Sequence, residues 1–497
     1  MSGALSLVVI DAANGRTRTL ATDALRDYGI TVSWAPSGHR IAYADTAGLV
    51  VVGAERSGAP LDEWKVLRHI SRSGLRFRSD YTPPLWSADA TRLYAAASDS
   101  VWEAKWSDGT LRSLGTVTGN QVIGVVGDFG TNRIWPGTGG DAVYAVVRHR
   151  STLRMGFARF ALGALDARHV WSADILMQGP RFGAAPASDG TVAFIAQDAA
   201  HPQEIWLFST ASSSARRVSA LHKNLGRYAL GESRLVSWRS ATGDTLRGAL
   251  LLPPSYEGGK RYPLIVHVYA GSTPSRNVNQ FGLGGGGAYN QQLLAARGYA
   301  VLLPDVPLSG GKPVDDLEAA VLPAVDRLIA LGIADSARVG VTGYSSGGYS
   351  TLALLTRSSR FAAAIAEQGF ASLMGDYLYM RSDGSSPGIA RVEGYGDGMG
   401  GPPWGDRLEA YIAQSPLFHL DRITTPLLLV HGDADEIVPS SFSGEVFVGL
   451  RRLGKPVVIA LYEGEGHGTG AWRRANMDDY LDRVLAWWQR WLGDYDK

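Results

Sequence analysis

Short apolar runs separated by turn residues mark the first 230 or so positions. Trp34-Ala35-Pro36-Ser37-Gly38-His39-Arg40-Ile41-Ala42-Tyr43 recurs as Trp86-Ser87-Ala88-Asp89-Ala90-Thr91-Arg92-Leu93-Tyr94-Ala95, with looser copies at Trp135 to Ala145 and Pro186 to Phe194. Each copy predicts a tight turn followed by a short apolar strand. The period, about fifty residues, is the size of one four-stranded propeller blade. A second recurring piece reads as an outer strand: Leu7 to Asp11 with Gly15, Val101 to Ala104 with Gly109, and Ile205 to Phe208. The repeated Trp residues are expected in blade cores rather than at a ligand. The first outer-strand piece has no tryptophan-turn unit before it, so the chain is expected to start in mid-blade, with about four to five blades.

From about residue 231 the rhythm changes. Tyr262 to Val268, Val339 to Thr342, Pro426 to Val430 and Val457 to Tyr462 are continuous apolar runs, the pattern of strands buried on both faces. Tyr349 to Thr356, rich in Ala and Leu and free of Pro, predicts a helix, and Trp487, Trp488 and Trp491 fall at the spacing of one helix face. We expect an all-β propeller over residues 1–230 and an α/β domain over 231–497. The stretch from Ser382 to Gly405, crowded with glycines, predicts a loop.

Between the Val339 run and the predicted helix lies Gly343-Tyr344-Ser345-Ser346-Gly347-Gly348. Strand, sharp glycine-rich turn and helix form the setting of a nucleophile elbow, which makes Ser345 a candidate nucleophile. The Gly-x-Ser-x-Gly pattern alone is weak, since chance gives on the order of half a match in a chain this rich in Gly. A second match, Gly384-Ser385-Ser386-Pro387-Gly388, follows no apolar strand and carries a Pro with no helical run expected behind it. It reads as loop. A nucleophilic serine needs a base and an orienting carboxylate, which in α/β-hydrolases follow in the order acid, then histidine. Asp433, Asp435 and Glu436 all lie in the loop after the Pro426 run. His467, the only histidine beyond them, sits in Glu463-Gly464-Glu465-Gly466-His467-Gly468 after the next run. For the oxyanion, the backbone N–H of Ser346 is one donor. Tyr269, at the end of the Tyr262 run, is either a second donor or an aromatic cap on a core strand.

From Ser233 onward the chain resembles the catalytic domain of the prolyl oligopeptidase family of serine peptidases, including its acylaminoacyl-peptidase and dipeptidyl-peptidase branches. The matching residues are Tyr262-Pro263-Leu264 with Val268-Tyr269-Ala270-Gly271; Ala296-Arg297-Gly298-Tyr299-Ala300-Val301; the elbow; Ser415-Pro416; His431-Gly432 with Asp435; and Glu465 to Gly468. The resemblance implies an α/β-hydrolase domain over 231–497, Ser345, Asp435 and His467 as the triad, Tyr269 as a side-chain oxyanion donor, and a site between the domains suited to short peptides, with Ser382 to Gly405 where lids over such sites are inserted. Ile437 stands where many members carry an Arg or Asn that holds a substrate carbonyl, and Ser346 where a Tyr is common. Paired glutamates of the dipeptidyl-peptidase kind are not found. Members usually close seven or eight blades; a shorter, open ring exposes strand edges and favours association into homo-oligomers.

Composition narrows the alternatives. A net charge of +1 with no basic run argues against nucleic acid. The absence of cysteine excludes disulfides and thiolate metal sites, and the expected chemistry needs no metal or organic cofactor. No stretch reads as a membrane span or signal peptide; Ala4 to Ile10 is too short and lacks a basic flank. The expected activity is hydrolysis of peptide bonds through an acyl-enzyme. A carboxylesterase with the same triad and a non-catalytic propeller binding protein are the competing readings.

Overall fold

The computed structural model describes residues 5–25, 32–45, 48–77, 83–128, 130–177, 184–284, 290–394 and 398–493. The chain divides into two compact units, Met1–Lys223 and Asn224–Lys497.

Among the described residues of the first unit a hairpin, Leu5–Ile10 with Thr17–Leu25, precedes four sheets, antiparallel except where Arg133–Ile134 pairs parallel with Leu85–Trp86. The first sheet pairs Ser33–Trp34, Arg40–Ala44, Leu49–Gly53 and Lys65–Ile70 in order. The second runs through Leu85–Trp86, Arg92–Ala97, Ser100–Lys105 and Leu111–Thr116, extended by two short strands at Gly127–Asp128 and Arg133–Ile134. The third joins Asn120–Val125, Ala142–His149, Met155–Ala161 and Ala167–Ala173. The fourth is built on Thr191–Gln197, Glu204–Ser209 and Ser214–Arg217, with Leu176–Met177 and Ala184–Pro186 beside the first of these.

Strand periodicity explains how the sheets stack. Successive side chains point to opposite faces, so Leu93 and Ala95 enter a core shared with Ala42, Leu49 and Ile70 of the preceding sheet. Tyr94 and Ala96, one residue out of phase, enter a core shared with Val122, Val143 and Phe160 of the following one. The third sheet repeats the device: Val143 and Val147 face backward, while Tyr144 and Val146 face Val192, Phe194 and Phe208. Phe157 stacks on Phe208 at 4.6 Å between centroids. Face-to-face packing of consecutive four-stranded sheets is the propeller type of architecture. The recurring tryptophans are not equivalent. Trp86 is fully buried and donates its indole N–H to the Ser33 carbonyl at 3.3 Å, whereas Trp34 is 42% exposed and leans edge-on against Trp64. The expectation of a core role therefore fails for Trp34, whose side of the first sheet meets, among the described residues, the two-stranded hairpin and the segment around Leu61 and Trp64.

The second unit is an eight-stranded sheet. We label its strands β1 (Ser233–Arg239), β2 (Thr245–Leu251), β3 (Tyr262–His267), β4 (Ala300–Pro304), β5 (Ala334–Tyr344), β6 (Ala363–Glu367), β7 (Leu427–Gly432) and β8 (Val457–Tyr462). Their order is β1-β2-β4-β3-β5-β6-β7-β8; β2 runs antiparallel to both neighbours and β3 to β8 are parallel. Every residue of β3, β4, β6 and β7 is buried, as parallel strands covered on both faces require. One cover is the helix Arg474–Leu492, whose Trp488 is fully buried against β5. A Cβ on Gly340 of β5 would come within 2.5 Å of that indole, so only glycine fits there. Ser382 to Gly405 is not all loop: Pro387–Gly394 is helical. The Pro that suggested a break sits at the first helical position, where its fixed φ and missing N–H are tolerated. Among the described residues, no helix is long and apolar enough to cross a membrane.

Candidate active site

The carboxyl ends of the parallel strands, the usual site edge of open α/β sheets, carry the candidate residues. Ser345 follows β5 directly and precedes the helix Ser346–Arg357, with φ 59° and ψ −122°. That positive-φ conformation, outside the left-handed α well, costs a residue with a Cβ roughly 1–3 kcal/mol, and the surrounding glycines make it possible. A Cβ on Gly343 would meet the Gly347 carbonyl oxygen at 2.3 Å, and one on Gly348 would meet Gly369 Cα at 2.7 Å. The turn is held from β6, where the Glu367 carbonyl accepts the Ser345 N–H at 2.8 Å. The Ser346 N–H, in the first helical turn, has no intrahelical acceptor to reach.

The structure brings Ser345, His467 and Asp435 together. His467 Nε2 lies 3.0 Å from Ser345 Oγ, and His467 Nδ1 lies 2.7 Å from Asp435 Oδ2. A carboxylate only accepts, so Nδ1 carries the proton and Nε2 presents its lone pair to the serine. Of the three acidic candidates, Asp433 and Glu436 are exposed while Asp435 is buried, and Asp433 accepts the Gly464 N–H at 2.6 Å instead. Burial opposes the charge on Asp435. Hydrogen bonds from His431, His467 and the Val438 N–H outweigh it and hold the carboxyl well below the usual carboxylate range. Its Oδ1 accepts the N–H groups of Ile437 and Val438 at 2.8 and 2.9 Å.

Tyr269 lies just beyond β3, half-buried, with its ring edge 3.3 Å from where a Cβ on Gly347 would be. Among the described residues its hydroxyl has no hydrogen-bond partner. It borders a cavity of about 300 Å³ lined also by His267, Ser272, Thr273, Pro274, Asn277 and Leu303. Ile437 is about half exposed beside the acid. Ser386 takes no part in the triad: its hydroxyl donates to the Tyr379 carbonyl at 2.8 Å, at the entry to the Pro387 helix.

Several neighbours were given no role by sequence. Tyr344 donates its hydroxyl to the His467 carbonyl and packs its ring 4.9 Å from the imidazole. Burial, then the nearby Asp435 and Glu367, push its phenol far up, so it stays a donor. Glu465 accepts from the Arg473 backbone and guanidinium at 3.0 Å and from Asn476 at 2.6 Å, tying the histidine loop to the last helix. Arg391 pairs with the buried Asp376, covers the Phe370 ring at 4.4 Å and donates to Ser346 Oγ at 3.2 Å. Gln368, fully buried with φ 48°, faces both the acid and the histidine loop. Position within the motif, just before the serine, could have flagged Tyr344; Arg391 and Gln368 arrive through chain reversals that no local pattern announces. Among the described residues no cluster of His, Asp and Glu could hold a metal ion.

The sequence pattern of the prolyl oligopeptidase family matches residues 287–495. The chain is 25% identical over 283 residues to the uncharacterized peptidase YuxL of Bacillus subtilis, covering 54% of this chain and 40% of that protein. It is 28% identical over 389 residues to the lasso peptide isopeptidase AtxE2 of Asticcacaulis excentricus, covering 73% of this chain and 52% of that one. It thus spans about half the length of the curated relatives it matches. A putative dipeptidyl aminopeptidase IV from Bacteroides ovatus superposes with a TM-score of 0.68 at 16% identity, over 98% of this chain and 69% of its own, which establishes the fold. The second unit thus carries, over residues 287–495, the sequence pattern of the prolyl oligopeptidase family, and the chain shares with the solved structure the fold of a propeller-type unit followed by an α/β-hydrolase unit.

Proposed function

We propose that this chain is a serine peptidase that hydrolyses amide bonds in short peptides through Ser345, His467 and Asp435. The observation that carries the reading is the unbroken hydrogen-bond chain from Ser345 Oγ through the imidazole to a buried carboxylate. His467 Nε2 takes the serine proton as Oγ attacks the carbonyl; Asp435 holds the tautomer and stabilises the imidazolium; His467 then protonates the leaving amine, and water releases the acyl group. The Ser346 N–H and the Tyr269 hydroxyl stabilise the oxyanion. Residues 231–497 form the hydrolase domain. Residues 1–230 form the propeller, whose hairpin and four sheets amount to about four and a half blades of the usual four strands.

A second substrate class has its own support. The match to the lasso peptide isopeptidase runs 389 residues, well beyond the 283 shared with YuxL, which favours isopeptide bonds as substrates beside ordinary ones. A peptide-library digest read by mass spectrometry, run with Ser345→Ala as control, tests both. The library includes peptides closed through a side-chain amide. Serine-dependent cleavage of linear or side-chain amides supports the peptidase reading. Turnover of short-chain esters with every amide left intact overturns it in favour of a carboxylesterase.

A further inference from the structure

We propose that Gln368 is a positioning residue of the triad, holding the acid and the histidine loop in one geometry through a single amide nitrogen. The inference rests on the reading of Ser345, His467 and Asp435 given above. Gln368 directly follows β6, with its own N–H donating to the Val430 carbonyl of β7 at 2.8 Å. One end of its side-chain amide faces only acceptors, which identifies that atom as the nitrogen. Nε2 then lies 3.1 Å from Asp435 Oδ2, 2.8 Å from the His467 carbonyl and 3.2 Å from the Gly466 carbonyl.

An amide nitrogen has two hydrogens, and here they are divided between the acid and the base's own backbone. One goes to Oδ2, the same oxygen that accepts from His467 Nδ1. The other goes to the carbonyls of His467 and Gly466, in the loop that carries the imidazole. The charged and titratable groups facing Asp435 and the imidazole are His467 itself, His431 at 3.3 Å from Oδ2, and Tyr344, whose hydroxyl donates to the His467 carbonyl and whose ring lies 4.9 Å from the imidazole; Glu367 is bound instead by Tyr480 and Thr342. Gln368 is therefore the neutral donor that completes the shell of Oδ2. Its backbone argues the same way. At φ 48° glycine is the unstrained residue, so a turn needed only for its shape has no use for a long buried amide, and such strain gathers at functional sites.

The consequence concerns proton affinity. A carboxylate deprived of a donor attracts the imidazole proton more strongly, so the histidine stays protonated, and inactive as a base, to higher pH. The test is the second-order rate of labelling by a fluorophosphonate probe between pH 5 and 9 in the full chain, comparing Gln368→Met and Gln368→Leu with the parent. Both variants keep bulk and lose the donor. The expected result is full final labelling, a rate about 10- to 100-fold lower, the range typical of groups that orient functional ligands, and an acid limb whose midpoint lies at higher pH. A lower rate with an unmoved midpoint, an unchanged rate, or failure of both variants to label to completion would each overturn the proposal, the last because the side chain would then be holding the fold. Ser345→Ala is labelled alongside. If it still reacts, the triad reading has failed, independently of Gln368.

Discussion

Glu367 offers a stability prediction with a definite sign. The residue ends β6, is 1% exposed, and receives the Tyr480 hydroxyl at 2.6 Å and the Thr342 hydroxyl at 3.3 Å. Burial pushes its carboxyl from the ordinary 4.5 up to about 7, the two hydrogen bonds offsetting only part of the effect. Unfolded, it sheds its proton near 4.5; folded, it keeps it until about 7. Below 4.5 both states are protonated and nothing is lost. As pH rises from 4.5 to 7 the unfolded state alone gains the favourable ionisation, so stability falls, and above 7 the loss is complete. The interval corresponds to roughly 3 kcal/mol at 1.36 kcal/mol per pH unit. Glu367→Gln keeps the shape and an acceptor for Tyr480 but cannot ionise. Its stability relative to the parent should grow from near zero at pH 4 to about 3 kcal/mol at pH 8. Native-state hydrogen exchange of the amides in β5, β6 and β7 measures this within the second unit, free of the first unit's unfolding. Parallel pH dependences for parent and variant would show that Glu367 titrates like an exposed carboxylate and that burial has been overweighted.

Three further outcomes test the site itself. Ser345→Ala should abolish turnover and fluorophosphonate labelling while Ser386→Ala, which loses only a hydroxyl bonded to backbone carbonyls, leaves both nearly intact; labelling that vanished in Ser386→Ala alone would reverse the assignment. Asp435→Asn should cripple kcat and Asp433→Asn change it little, because only Asp435 is buried against the imidazole; the opposite ranking in steady-state kinetics would move the acid. Tyr269→Phe should lower kcat about 10²- to 10³-fold, or roughly 3–4 kcal/mol, with little effect on KM, the pattern for a donor used mainly in the transition state; a normal kcat would leave Tyr269 as a core aromatic.

What could be read in advance divides along the range of the interactions. The elbow is local: strand, glycines and helix within about twenty residues specify a strained turn, and glycine is demanded there by backbone approaches of 2.3 to 2.7 Å. His467 was legible because no other histidine follows the acidic loop. The choice among Asp433, Asp435 and Glu436 was not legible from residue type, since burial decides it and burial comes from β7 and the histidine loop closing over one of the three. The Pro387 helix was missed because the same residue that breaks a helix interior is welcome at its first turn.

Gln368 and Arg391 mark the limit more sharply. Neither lies in a motif, and each meets the site from a chain segment whose place depends on the whole sheet being assembled. Gln368 meets Asp435 because β6 and β7 pair in register, Glu367 opposite Val430. A slip of one residue would turn the side chain to the other face of the sheet. Register is in turn specified by apolar residues on both faces of β6 and β7, all of them buried. The hydrophobic pattern that identifies these segments as strands therefore also aims the polar groups at their ends. It leaves no trace of which polar group is aimed at what, because that information resides in the pairing and not in either strand.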